Sequence, residues 1–336
     1  MTMIGRVSKG FVLALALIMA LTACGGNSQE DPAPGASDGA AGEKPSSLII
    51  ATGGTAGTYY PLGGGIANLI QDKTGTGATA QVTGAAVENM RLISNKEVDL
   101  AITQGDIADY AAKGTEMFSD GAVANLQAIG ALYQETIQIV VTEKSGIASV
   151  SELKGKKVSV GAPGSGTEVN ARQILEAYGL TFDDLNTERL SFGDSAKKMQ
   201  DGGLDAAFVT AGAPTAAINE LAATTGIRLL TIEDDKMKAI TDKYKYYSQQ
   251  VIPPGTYPKQ DAEVKTVAVK AIMSVRSELD AQLVYDITKA IYENTEPLIA
   301  INAKANEIQT DKALEGISIP LHPGAEKYLK EKGVVQ

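Results

Sequence analysis

The sequence predicts an α/β protein of two lobes, each a mostly parallel sheet flanked by helices, with a cleft between them. Three observations predict it. A strand, a glycine loop and a helix at Leu48 to Gln71 recur at Lys157 to Tyr178. In both copies a second helix then leads into a buried strand opened by an aspartate. The spacing from loop threonine to strand aspartate is 41 residues in the first copy (Thr58 to Asp99) and 38 in the second (Thr167 to Asp205). A repeated βαβ plan of this kind is how one chain builds two similar lobes. Chance similarity is the competing reading, because strand-turn-helix units are common and the matched letters are few.

The chain of 336 residues is long enough for two domains of ordinary size, and its 44% hydrophobic content excludes disorder. A formal net charge of -10 argues against a sequence-independent grip on nucleic acid, which needs clustered Lys and Arg. With one Cys, one His and no Trp, the chain cannot form an internal disulfide, a Cys- or His-rich zinc site or a Cys/His catalytic pair. No metal, cofactor or nucleic-acid partner is expected, and a monomer is.

At the amino terminus, Arg6 and Lys9 precede an apolar run from Phe11 to Ala23. As a helix that run reaches about 20 Å, short of a hydrocarbon core of about 30 Å. It reads as an export signal over residues 1–23. Leu21-Thr22-Ala23-Cys24 resembles the lipobox of bacterial lipoproteins, in which the cysteine is lipidated and becomes the first mature residue. Residues 24–47 then form a flexible tether: from Gly25 to Ser47 there is no Leu, Ile, Val or aromatic residue. Its span is on the order of 25 Å. The folded body therefore starts near Leu48, outside the cytoplasmic membrane and held to it by lipid.

Within that body, Leu48 to Thr52 reads as a strand, Gly53 to Thr58 as a glycine loop and Tyr59 to Gln71 as a helix. Thr83-Gly84-Ala85 opens a second helix carrying Asn89, and Val98 to Thr103 is the strand that follows. Leu126 to Tyr133 and Ile137 to Thr142 are apolar, β-branched runs separated by Gln134-Glu135-Thr136, placed to carry the chain from one lobe to the other. The second copy has its strand at Lys157 to Val160, its loop at Gly161 to Thr167 and its later strand at Leu204 to Val209. A strand at Tyr246 to Ile252 and another at Thr266 to Val275 follow, with a return crossing near 245–252. Leu279 to Glu307 reads as one or two long helices, and His322-Pro323 as the start of a short terminal one. The expected lobes are 48–135 with 250–336, and 136–249.

A helix amino terminus offers unpaired N-H groups and a positive dipole end, so it holds a carboxylate without any charged side chain. Thr58, Ser165 and Thr167 at such positions either donate to an anion or cap their own helices, and the residues alone leave both roles open. No Lys follows Gly57 or Gly166 as a Walker A loop requires, so nucleotide chemistry is unsupported. Gln104-Gly105-Asp106 and Thr210-Ala211-Gly212 follow matching strands and are expected on one rim of the cleft. Asp106 there either pairs with a ligand ammonium or caps the helix starting near Ile107. Arg91 and Arg172 are expected in structural contacts, and His322 as a cap.

Four segments together resemble the TAXI-type solute receptors of tripartite (TRAP) transporters, a branch of the periplasmic binding proteins. They are Ile50 to Pro61, Thr83-Gly84-Ala85 with Glu88-Asn89, Gly161 to Glu168, and His322-Pro323-Gly324-Ala325. The resemblance runs from about Leu48 to Gly333. It implies a two-lobed protein, not an enzyme, that closes on a small organic anion and hands it to an ion-driven permease. Ligands of the glutamate, glutamine or dicarboxylate type are implied. Carried over, the loop with Thr55, Ala56, Gly57, Thr58 and Tyr59, together with Asn89, Gly164, Ser165, Gly166 and Thr167, lines the cleft. The lipobox departs from the many secreted members of that family. Two other function classes remain: a sensor or adhesin on the same fold, and a hydrolase using Ser165, which lacks a neighbouring general base.

Overall fold

The computed structural model describes residues 42–336; the export signal, Cys24 and most of the tether lie outside the described residues. The strands are β1 (Ser47–Ala51), β2 (Gly77–Gln81), β3 (Leu100–Gln104), β4 (Leu126–Thr142), β5 (Lys157–Ser159), β6 (Asn186–Glu188), β7 (Ala206–Ala211), β8 (Ile227–Leu229), β9 (Ser248–Ile252) and β10 (Val264–Arg276). The helices are α1 (Tyr59–Thr74), α2 (Ala86–Ser94), α3 (Gly105–Lys113), α4 (Gly166–Ala177), α5 (Phe192–Gln200), α6 (Ala216–Thr224), α7 (Asp234–Lys243), α8 (Ala281–Glu293), α9 (Glu296–Ile301) and α10 (Pro323–Glu331).

The strands pair in the order β2-β1-β3-β10-β4-β7-β5-β6, with β8 beside β4 and β9 beside β10. β1 pairs in parallel with β2 and β3, and β5 in parallel with β6 and β7. Each parallel triad thus has its first strand in the middle. Each is then flanked by one long antiparallel strand, β10 beside β3 and β4 beside β7. Helices cover the faces, as parallel strands require.

The internal repeat extends to single hydrogen bonds. Asp99 Oδ2 accepts the Ile49 N-H at 2.8 Å, and Asp205 Oδ2 accepts the Lys157 N-H at 2.9 Å. In return the Asp99 and Asp205 N-H groups donate to the Ile49 and Lys157 carbonyls at 3.0 and 2.9 Å. Each aspartate satisfies a backbone donor where the parallel ladder begins, which is why this short acceptor side chain opens both strands.

Two readings of the sequence change. The runs on either side of Gln134-Glu135-Thr136 are one 17-residue strand, β4, whose first part pairs with β10 and whose second part pairs with β7. β10 pairs with β9 at its start and with β3 at its end. The long helical stretch after Leu279 is also broken. Asn294 ends α8, and Pro297 sits in the first turn of α9, where its missing N-H costs nothing. His322 caps α10 as expected: its ring Nδ1 accepts the Gly324 N-H at 3.2 Å, and Nε2 lies 3.1 Å from the Leu279 carbonyl.

Candidate functional site

The two glycine loops end at the starts of α1 and α4, and both starts open onto one cavity beside the carboxyl ends of β3 and β7. Open α/β sheets place ligands at that end. The cavity is small, about 70 Å³ in volume, and suits a small solute. Among the described residues that line it there is no Lys, Arg or His.

The helix starts differ in how they are capped. The Thr58 side chain does not cap α1; its Oγ1 instead accepts the Gly212 N-H at 3.2 Å, from the loop after β7. The first N-H groups of α1, on Tyr59 and Tyr60, have no partner within the helix, and Pro61 carries none. Ser165 does cap α4: its Oγ accepts the Glu168 N-H at 3.1 Å. Gly166 and Thr167, the first two residues of α4, line the cavity. The capping role therefore holds for Ser165 and fails for Thr58.

Two wall atoms are buried polar groups without a partner, Gln104 Oε1 and Thr210 Oγ1, on side chains that are 2% and 4% exposed. Buried polar atoms in folded proteins are nearly always paired, so unpaired ones at a cavity wall point to a missing ligand or water. The Gln104 amide is aimed by Asn170, whose Oδ1 accepts from Nε2 at 3.1 Å. Gly166 leaves the room for Oε1; a methyl group there would stand 1.9 Å from it.

The acidic residue among those lining the cavity is Glu135, at the middle of β4, where Tyr59 Oη donates to Oε2 at 2.8 Å. Burial pushes its carboxyl up to about 8; contacts from Tyr59 and Gln104 pull the other way, and the charge of Asp106 adds to the rise. Burial likewise raises Asp106 to about 7, against hydrogen bonds from the Ile107 and Asp106 N-H groups and from Asn170.

Of the residues expected at the cleft, Gly57, Thr58, Tyr59, Gln104, Ser165, Gly166, Thr167 and Thr210 line this cavity. Thr55, Ala56, Asn89, Asp106, Gly164 and Gly212 do not. Thr55 is exposed on the loop. Asn89 is a buried brace, donating to the Thr52 and Ile102 carbonyls at 2.7 and 2.8 Å and accepting from Thr83 Oγ1 at 2.6 Å. Asp106 lies within the first turn of α3, which starts at Gly105 rather than near Ile107, and lines a separate cavity with Lys245, Tyr247 and Lys270. Neither Arg91 nor Arg172 reaches the site; Arg91 donates to the Met117 carbonyl and Arg172 pairs with Glu116 at 3.0 Å.

Sequence reading missed Glu135, Ser191 and Phe192, while Gly84 and Ala85 belong to the third glycine turn it singled out. An acid inside a long apolar strand run was the available signal for Glu135. Ser191 and Phe192, at the start of α5, gave none, because they reach the cavity only when Phe192 packs 3.4 Å from where a Gly57 side chain would begin.

Solved structures share this architecture. PhnD1 from Prochlorococcus marinus, in complex with methylphosphonate, matches 87% of this chain and 100% of its own at 9% identity, with a TM-score of 0.52. A protein described as a periplasmic transporter matches 85% of this chain and 92% of its own at 13% identity, TM-score 0.51. A protein from Bordetella bronchiseptica matches 87% and 83% at 16% identity, TM-score 0.50. These likenesses establish the two-lobed periplasmic binding protein fold. The sequence pattern of a known family matches residues 50–333, nearly the whole folded body, and the chain belongs to the NMT1-like family.

Proposed function

We propose that this protein is an extracytoplasmic solute receptor of the TAXI type, which closes on a small organic anion and delivers it to a TRAP-type permease. The anion is of the glutamate or glutamine kind, or a dicarboxylate. The lobes meet along β4 and β10, and Cys24 carries the lipid that keeps the receptor at the membrane. One observation carries the reading: two helix starts, one from each repeat, face a single small cavity whose wall holds the unpartnered Gln104 Oε1 and Thr210 Oγ1. Helix starts supply N-H donors and a positive potential, which suits an anion where no cationic side chain is present. Proteins of the same fold include one solved with methylphosphonate, another small anion.

A hydrolase is disfavoured by the same geometry. Ser165 Oγ is occupied as the cap of α4, and the one histidine is the cap of α10, held by Leu279 and Gly324. Among the described residues, Ser165 Oγ has no hydrogen bond to a histidine or carboxylate that could act as its base.

The test is thermal unfolding of the full chain with L-glutamate, L-glutamine, succinate and 2-oxoglutarate, each over a concentration series. A bound solute raises stability as RT ln(1 + [L]/Kd), so a true ligand shifts the transition progressively upward. No shift with any of the four sinks the assignment to this anion class.

A further inference from the structure

Glu135 is 2% exposed and lines the cavity, and no positive group faces it. From α1 comes the Tyr59 hydroxyl, which donates to Oε2 at 2.8 Å, and from the end of β3 comes the neutral Gln104 side chain. From α3 comes a second buried acid, Asp106, with Asp109 one turn further on, itself held by Lys113 at 2.8 Å and by Tyr246. On β4 the buried phenol Tyr133 stands two residues away, and across the ladder Glu135 meets Val269 of β10. The nearest lysines on the packed elements are already paired, Lys270 with Glu315 at 2.8 Å and Lys304 with Glu307 at 2.6 Å, and neither lines the cavity.

A buried carboxylate keeps its charge when a cation or several N-H donors surround it. Glu135 has no cation and no backbone N-H group, only a phenol, the neutral Gln104 side chain and an acidic neighbour. The neutral acid is the form that fits this site, and the rise to about 8 agrees with it. A neutral carboxyl in an apolar pocket is a hydrogen-bond donor, the role that a protonated acid plays in other anion-stabilising sites.

We propose that Glu135 is the specificity-determining residue at the floor of the cavity, a neutral acid whose O-H donates to an anionic group of the ligand, so that capture is linked to a proton. The proposal rests on the receptor reading above. The helix starts of α1 and α4 hold one anionic group, and Glu135 with the Thr210 hydroxyl meets the other end. The balance is simple: the proton stays on Glu135 in the complex, and a receptor that has lost it must take one up to bind. Ionised Glu135 would place its negative charge against the ligand's.

The experiment is calorimetric titration of the full chain with succinate and with L-glutamate, from about pH 6 to about pH 9.5, in buffers of different ionisation enthalpy, which spans the Glu135 transition. Affinity is expected to hold steady below about pH 7.5 and then to fall by up to about tenfold per pH unit above 8, with proton uptake on binding. Glu135→Gln, a neutral donor of the same shape, removes that fall, so at about pH 9.5 the variant binds at least about tenfold more tightly than wild type. Wild-type affinity that is flat or rises with pH overturns the proposal, as does a folded Glu135→Gln protein that keeps the wild-type pH profile. If neither probe binds at any pH, the receptor reading for these anions fails and takes the proposal with it. Binding with a flat profile leaves the receptor reading standing and removes only the role of Glu135.

Discussion

The carbonyl oxygen of Gly164 accepts the backbone N-H of Glu88 at 3.0 Å, joining the loop before α4 to the first turn of α2. It accepts the Val87 N-H at the same distance. α2 has no side-chain cap of its own, since Ala85 stands at the cap position, so the loop of one repeat completes a helix of the other.

That contact makes Gly84 a sensitive position. A methyl group there would lie 2.4 Å from the Pro163 carbonyl oxygen, a backbone atom with little room to retreat. Gly84→Ala is expected to wedge the two loops apart and weaken solute binding by about tenfold or more, the size of a lost charge-assisted contact of about 1.5–3 kcal/mol. Small-angle scattering checks the cause: the variant should stay expanded at solute concentrations that compact the wild type. Equal compaction in both counts against the wedge.

Gly166→Ala is expected to destabilise the fold as well as the site, because its methyl group would meet Gln104 Oε1. Overpacking of this kind costs about 1–3 kcal/mol. Adding Gln104→Ala should recover much of it. Denaturant unfolding of the two single variants and the double variant measures the coupling, and additive effects would show that the two residues do not meet.

The free protein is expected to lose stability as pH rises from about 4 to about 8. Unfolded, the Asp106 and Glu135 carboxyls ionise near their model values of 3.8 and 4.5; folded, they hold their protons to about 7 and about 8. Between those limits the unfolded chain binds fewer protons, so the slope of stability against pH is negative, and it flattens above the folded values. The two acids interact and titrate as a pair. Asp106→Asn should raise the melting temperature at pH 8 more than at pH 4. It should leave the ratio of glutamate to 2-oxoglutarate affinity unchanged, since Asp106 lines a different cavity. A wild-type melting temperature that climbs between pH 5 and pH 8 would contradict the sign.

Cys24→Ser is expected to release the protein from the membrane, because Leu21-Thr22-Ala23-Cys24 resembles a lipobox and the chain has no second cysteine. Fractionation and mass measurement of the mature protein decide it. A variant that remains fully membrane-bound with unchanged lipid content would dismiss the anchor.

Local chemistry settled what the residues themselves could report. Glycine and threonine at the ends of apolar runs marked both helix starts, the two aspartates marked matching strand openings, and Pro323 after His322 marked the last helix, because each depends on neighbours a few positions away. The site divided along the same line. Gly57, Thr58, Gly166 and Thr167 were legible as helix-start residues, and Gln104 and Thr210 as the ends of matching strands. Glu135 was not, because the polar triplet around it imitates a break, and only pairing with β10 and β7 turns it into the middle of one strand. Asp106 was misplaced for the converse reason: its position in sequence put it on the rim with Gln104, while two residues further on, in the first turn of α3, its side chain lies against Asn170 and lines a separate cavity. Sequence determined most of the segments of the two repeats and where α1, α4 and α10 begin. The direction in which side chains leave those segments, and so which acid faces the ligand, was decided by contacts between residues far apart in the chain.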